Sequence, residues 1–351
     1  MKKSFSRGLT SMLYNLVVCA FIALASGFSL PAVAGVGFVG SMLMQGGGVN
    51  MAIQKEIWMN SIVEGLFANN SFLSKAFNAD EFVNAGKTVH IPNAGVASSV
   101  TKNRSSFPAT VTSRTDTDLT FDLDEYTTDP IKISNAETVE LSYSKRESVL
   151  KQDKAKLIET VSNDFLFKWT PASGYVVRTT GSAVVAHTAS ATGNRKALTK
   201  TDVLACMNKF NGQDIPQEGR YMLIDAVMYG QLLESLTTQE AMAFHSLVDI
   251  PNGVLGKLYT FNIMMRSKAT IYTSAVAAKA WTTAGAAGDL AAALAWHENS
   301  VCRALGQTDV FEELNSPLYY GDIYDFLVRA GGRPMRSGVE GLTAIVQDTA
   351  A

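Results

Sequence analysis

The chain has 351 residues, enough for one large or two ordinary domains with a sizeable buried core. Its 30 Lys plus Arg against 32 Asp plus Glu give a net charge of -2, which argues against a dedicated nucleic-acid binder. A share of 47% hydrophobic and 18% charged residues is globular, and the three scattered cysteines, Cys19, Cys206 and Cys302, argue against a disulfide-stapled domain.

The first 50 residues differ from the rest. Lys2, Lys3 and Arg7 precede an apolar run over 13–30, and Ala32-Val33-Ala34 fits a small-residue cleavage site. Three readings stand side by side: a secretory signal, a short membrane segment, and a leader outside the mature protein. The third rests on the linker-like Gln45-Gly46-Gly47-Gly48-Val49-Asn50 followed by a start-like Met51-Ala52-Ile53-Gln54-Lys55-Glu56. Gly35-Val36-Gly37-Phe38-Val39-Gly40 spells G-x-G-x-x-G, but it lies inside the apolar leader and lacks the βαβ setting a dinucleotide fingerprint needs.

Residues 53–77 read as helical, with Ile57, Trp58, Ile62, Leu66 and Phe67 apolar and Asn69-Asn70 as a breaker. Thr88-Val89-His90-Ile91 predicts a strand. The strict alternation Asp118-Leu119-Thr120-Phe121-Asp122-Leu123-Asp124 predicts its returning partner, with Ile131 and Ile133 continuing the pattern. Between them, 101–117 is rich in Ser, Thr and Asn and carries Lys102, Arg104 and Arg114. A loop of that length inside a compact domain needs a reason, and an arm laid on a neighbouring molecule is one. Asp118, Asp122 and Asp124 share one face by the strand period and read as a solvated or partner-facing surface. With Asp116, Glu125 and Asp129 they do not match a calcium loop, because its glycine and terminal Glu are missing.

Ser144 and Glu147 fit a capping box opening a long amphipathic helix. Its apolar face is Leu150, Leu157, Ile158, Val161, Phe165 and Leu166, and Glu147 and Lys151 form a favourable i, i+4 pair. Pro171 and Gly174 predict its end near Trp169. Residues 174–195 read as loop with a short strand at Tyr175-Val176-Val177. A helix over 199–210 follows, capped by Thr199 or Thr201, with Val203, Leu204, Met207 and Phe210 apolar. Gly219-Arg220-Tyr221-Met222-Leu223-Ile224-Asp225 is a turn and an apolar strand. Then comes a helix over 226–236 with Tyr229, Leu232 and Leu233 inward. Pro251-Asn252-Gly253 is a turn, 254–266 has the polarity of paired strands, and the Ala-dominated 275–295 is uninformative. Residues 294–305 fit strand or helix, and short elements over 320–330 and 342–346 close the chain. Strands and helices without βαβ regularity give an α+β class.

Catalytic and ligand motifs fail one by one. His297-Glu298 lacks a second histidine at the zinc-binding spacing, and no C-x-x-C or G-x-S-x-G occurs. Gly86-Lys87-Thr88 and Gly256-Lys257 lack the glycine that a phosphate loop needs, Glu81 and Pro251 standing in its place. The expectation is therefore no enzyme, no catalytic residue, no cofactor and no metal.

The order of elements carries a resemblance. From Met51 onwards the chain resembles the major capsid proteins of tailed double-stranded DNA phages, whose subunits share the Hong Kong-type fold. The segments that carry it are the hairpin through 101–117, the helix over 144–169 and the strand-helix 219–233. Gly253-Val254-Leu255-Gly256-Lys257-Leu258-Tyr259-Thr260-Phe261-Asn262-Ile263, Leu294-Ala295-Trp296-His297-Glu298-Asn299-Ser300-Val301 and Gly331-Gly332-Arg333-Pro334 follow in order. The resemblance implies an N-terminal arm over 51–87 and an extended hairpin loop over 88–135, and the apolar leader over 1–50 is the departure from it. It further implies a peripheral domain with a spine helix over 136–198, an axial domain over 199–290, and a return to both over 291–351. It implies a structural head protein assembling into an icosahedral shell through hexamers and pentamers. Its partners would be scaffold, portal, maturation protease and DNA packaged without sequence specificity. The place would be the virion, assembled in the host cytoplasm, with membrane contact only if the leader is retained. The tentative contact residues are Lys102, Arg104 and Arg114 on one side and Asp118, Asp122 and Asp124 on the other. An exported or membrane-anchored binding protein acting through 1–34, an encapsulin-like compartment shell and a hidden hydrolase are the competing readings.

Overall fold

Alternating residues build an antiparallel hairpin from β1 (Thr88–Asn93) and β2 (Thr117–Asp122), in register from Thr88 opposite Asp122 to Asn93 opposite Thr117. Val89 and Ile91 point inward, joining Ala79, Cys302 and Ala304 in a small core. The computed structural model describes residues 59–67, 70–84, 87–93, 100–105, 107–108, 111, 117–134, 145–336 and 338–350. Two units are distinguished, Met1–Ser61 and Ile62–Ala351. Of the first, only one helical turn at 59–61 is described, so the leader and its G-x-G-x-x-G lie outside the described residues.

In the second unit, helix over 62–67 stops before Asn70, as the Asn69-Asn70 breaker suggests, and beyond it a 3-10 turn, Ser71–Lys75, stands in place of the α-helix read to residue 77. The hairpin is shorter than the alternation suggested. Leu123 turns into the core and donates its N–H to Lys87 O at 2.7 Å. Beyond it, β3 (Asp124–Thr127) and β4 (Ile131–Ser134) leave the hairpin and join another sheet. Ile131 and Ile133 therefore extend that sheet and not the arm.

The helix α1 (Lys145–Trp169) ends at the predicted residue. Ser144 and the Glu147 side chain lie outside the described residues, so the expected cap and the Glu147–Lys151 pair do too. Its buried stripe is Leu150, Leu157, Ile158, Val161, Phe165, Leu166 and Trp169, seven residues at helical spacing. Helix α2 (Lys200–Gly212) opens with a capping box of Thr199 and Asp202. Strand β5 (Arg220–Asp225) feeds α3 (Ala226–Ser235), whose N-cap Asp225 accepts from Met228 N–H at 2.7 Å. Helix α4 (Thr238–His245) has its own box, Thr237 and Glu240. Lys200, 2.7 Å away, and the Thr237 bonds hold the Glu240 carboxyl down at about 2.

The hairpin β6 (Val254–Leu258) and β7 (Phe261–Arg266) confirms the paired strands expected there. Gly253 turns into it with φ +73, and a Cβ there would sit 2.0 Å from Ser71 Oγ. Then come β8 (Thr270–Tyr272), β9 (Leu290–His297), β10 (Val301–Ser316), β11 (Gly321–Pro334) and β12 (Leu342–Val346). The ambiguous 294–305 is thus two strands. The eight-stranded sheet runs β6-β7-β5-β9-β8 to a short edge strand, with β12 paired to β9 and Val176–Arg178 parallel to β12.

Every residue of β9 is buried. Ala291, Ala293 and Ala295 face Val203, Phe210, Met228 and Leu232. The alanines' small volume lets α2 and α3 sit close to the sheet. The other side of β9 carries Trp296, part of an aromatic cluster. Trp169 lies 5.9 Å from both Phe72 and Trp296, and 6.1 Å from Phe165. Trp169 Nε1 donates to Cys302 O at 3.0 Å and Trp296 Nε1 to Lys75 O at 2.9 Å. The cluster therefore joins the 3-10 turn, α1, β9 and β10.

The second sheet is dominated by β10 and β11, a long twisted hairpin with register shifts between Leu305 and Thr308 and between Glu313 and Ser316. Gly332 lies where α1 crosses β11, since a Cβ there would come within 2.6 Å of Cys302 O and 2.9 Å of Phe165 Cδ1. Burial pushes the Cys302 thiol up to about 11 and Cys206 to about 12, marking both as packed, unreactive side chains.

The C-terminal strand Thr349–Ala350 pairs with Asn194–Lys196. Beside it, Asp348 bridges Lys196 at 2.9 Å and Arg178 at 2.7 Å, and these bonds hold its carboxyl down at about 2. A depressed carboxyl pKa stabilises the fold above the ordinary range near 4, and the contribution fades as pH falls towards 2. Asp348→Asn should cost about 1–2 kcal/mol at neutral pH after solvent screening, with the difference from the parent shrinking below about pH 4 and lost as pH falls through about 2. Equal urea midpoints for parent and variant at pH 7 would contradict this.

Candidate assembly surfaces

The hairpin arm positions most of the residues singled out by charge. Asp118 and Asp122 do share the exposed face of β2, but each has a partner across the strand pair. Asp118 Oδ2 lies 2.9 Å from His90 Nδ1, and Asp122 Oδ1 accepts from Thr88 Oγ1 at 2.8 Å. His90 was not picked out as part of this surface. Its register position opposite Thr120 puts it diagonal to Asp118, a placement only strand pairing reveals.

Asp124 is not on that face. It opens β3 in the other sheet and pairs with Lys168 of α1, which also reaches Asp164 at 3.1 Å. Tyr126 donates to Asp164 as well, and burial first, then this bond, raises its pKa. The group acts as a latch between α1 and β3. Among the basic residues, Lys102 and Arg104 are exposed, with Arg104 Nη2 donating to Thr101 Oγ1 at 3.3 Å. Arg114 lies outside the described residues.

Large apolar side chains are exposed in three places that charge patterning did not reveal. On the arm they are Val100, Phe107 and Val111. At the turn between β10 and β11 they are Leu318, Tyr319 and Tyr320. In and after α4 they are Met242, Leu247, Val248 and Ile250. Single exposed apolar residues are ordinary, but these come in groups of three or four on an arm, at a hairpin turn and around a short helix. Such placement makes them candidate contact surfaces.

Two of the histidines serve structure. His297 is buried, which lowers its pKa, and its Nδ1 accepts from Asn299 N–H at 3.2 Å. His245 packs on Phe244, ring centroids 5.1 Å apart. Among the described residues, no three metal-ligating side chains converge.

No family model and no curated protein matches the sequence. Solved structures do match the fold. A chain of Mycobacterium phage Che8 is 16% identical at a TM-score of 0.52, covering 78% of this chain and 90% of its own. The capsid of the cyanophage P-SCSP1u gives 14% identity and 0.51, covering 77% and 86%. The capsid of Ralstonia phage GP4 gives 12% identity and 0.56, covering 79% and 88%. At these identities the likeness establishes architecture. The chain has the α+β Hong Kong-type fold of phage capsid subunits.

Proposed function

We propose that the chain is the major head protein of a phage or prophage, assembling through hexamers and pentamers into an icosahedral shell around double-stranded DNA. The observation that carries this reading is the capsid fold together with apolar side chains exposed on its arm and turn. A shell needs many modest contacts that close by symmetry, and projecting elements supply area without one large flat patch. In this reading the arm's basic tip meets acidic surface on a neighbour, Asp118 and Asp122 foremost. The near-neutral chain encloses DNA with little net attraction for it. Scaffold, portal and maturation protease are the partners such assembly uses, the virion is its destination, and the host cytoplasm is where it is built. The role requires no catalysis and no cofactor. Among the described residues, no helix is long and apolar enough to cross a membrane. Residues 1–50 are then a segment the assembled subunit does not need.

Charge reversal tests the arm. Arg104→Glu combined with Arg114→Glu should cut shell yield about tenfold at low ionic strength, the deficit shrinking in high salt. Sedimentation profiles identical to the parent's would refute the contact. The reading as a whole is tested by electron microscopy of the purified chain and analysis of particle contents. Nucleic acid inside supports a head, and an enzyme cargo moves the assignment to a compartment shell.

A further inference from the structure

Strand register builds a polar row on the eight-stranded sheet. Lys257 on β6 stands opposite Asn262 on β7, and Asn262 stands opposite Tyr221 on β5, so the three share one face. Tyr221 in turn stands opposite Trp296 of β9, which puts the row on the side away from α2 and α3. Strands about 4.8 Å apart place Lys257 and Tyr221 about 10 Å from each other across the row. Lys75, the last residue of the 3-10 turn, covers its Tyr221 end. The Lys75 ammonium lies 5.9 Å from the Tyr221 ring centroid and donates to Asn252 Oδ1 at 3.1 Å. These residues line a cavity of about 410 Å3, a volume in the range of small-ligand sites.

Charge in this cavity is unbalanced. Lys75 is half-buried and Lys257 exposed, and neither has a carboxylate within 4.0 Å among the described residues. The acid in the wall is Asp249, and Asn252 occupies both of its oxygens, its N–H at 3.4 Å and its side-chain amide at 2.7 Å. Burial first, then Glu298, raises the Tyr221 pKa, but Glu298 does not line the cavity.

Folding leaves donors over at both lysines. An ammonium carries three N–H groups; Lys75 uses one on Asn252, and Lys257 uses none among the described residues. Two ammonium groups facing one concavity repel each other, and an anion between them turns that repulsion into attraction. Lys75 is already held by Asn252 and the Tyr221 ring, so part of the ordering that binding requires is present beforehand.

We propose that this cavity binds a phosphate group, supplied as free phosphate or by a nucleic-acid backbone. Lys75 and Lys257 donate to its oxygens from opposite sides, with Asn262 between them. Ammonium groups hold phosphate as point charges through charge-assisted hydrogen bonds. The inference goes beyond the shell reading and does not depend on it, because all of its residues belong to one chain.

Equilibrium dialysis of the full chain at fixed ionic strength tests it, with radiolabelled inorganic phosphate and labelled hexathymidylate as probes. Phosphate should saturate at one site per chain with a dissociation constant of about 1 mM, the order that two charge-assisted contacts give. Lys257→Ala and Lys75→Ala should each weaken it about tenfold, and Lys257→Glu should abolish it. Lys268→Ala, at an exposed lysine outside this cavity, should leave it unchanged. Should Lys75→Ala fail to fold, Lys257→Ala, at an exposed side chain, still decides the matter. Hexathymidylate that binds and is displaced by phosphate identifies the backbone as a source, and phosphate binding without hexathymidylate binding identifies the free anion. Absence of saturation by phosphate, an affinity unchanged in Lys257→Ala, or an equal loss in Lys268→Ala would each overturn the proposal. Failure of the shell reading would appear separately, as an absence of particles with phosphate binding intact.

Discussion

Trp169→Ala is expected to destabilise the chain by about 3–5 kcal/mol, the range for removing a fully buried aromatic side chain. Trp169 is fully buried and touches Phe72 of the 3-10 turn, Phe165 one turn back on its own helix and Trp296 of β9. The substitution also leaves Cys302 O without its Trp169 Nε1 donor, a buried acceptor unsatisfied. Against a total stability of about 5–15 kcal/mol, such a loss would leave much of the protein unfolded at growth temperature. Equilibrium urea unfolding of the unassembled subunit measures it. A loss under about 1 kcal/mol would mean that the aromatic cluster does not hold α1 to the sheets.

Arg220→Met is expected to cost a similar amount, about 3–5 kcal/mol, for a different reason. Arg220 is fully buried at the start of β5, and its guanidinium satisfies four acceptors. Nε donates to Pro216 O at 2.8 Å and Nη2 to Ile215 O at 2.5 Å. Nη1 reaches Asn211 Oδ1 at 2.9 Å and Thr260 Oγ1 at 3.0 Å. The fork thus ties the end of α2 and the loop after it to the β6–β7 turn. Methionine fills the volume but strands these oxygens in a place water does not reach. Arg220→Lys should recover less than half of the loss, because one ammonium cannot match a planar five-donor fork. Near-native stability of Arg220→Met, by the same unfolding measurement, would contradict the role.

Local pattern made some elements readable and left others blank. The end of α1 at Trp169 followed from Pro171 and Gly174, and the cap of α2 from the pair Thr199 and Thr201, of which the structure uses Thr199. The hairpin limbs followed from period-two alternation. By contrast β9 gave little, because Leu290-Ala291-Ala292-Ala293-Leu294-Ala295 has no alternation to read when both faces are buried. The long β10–β11 hairpin was seen only in fragments, since its two register shifts interrupt the period that pattern reading relies on. The site residues show the same limit. Composition located the charged arm, but His90 beside Asp118, and Asp124 drawn away to Lys168, are consequences of pairing between distant segments. The aromatic cluster is likewise non-local, bringing Phe72 to Trp169 and Trp169 to Trp296.

The central claim is that this chain closes into shells, and electron microscopy tests it most directly. Protein expressed from Met1 and separately from Met51 would be purified and imaged, with intact mass recorded for each. Closed particles, or free hexamers and pentamers, from the Met51 chain are the predicted result. A soluble monomer at every concentration from Met51, with export and cleavage after Ala34 from Met1, would contradict it.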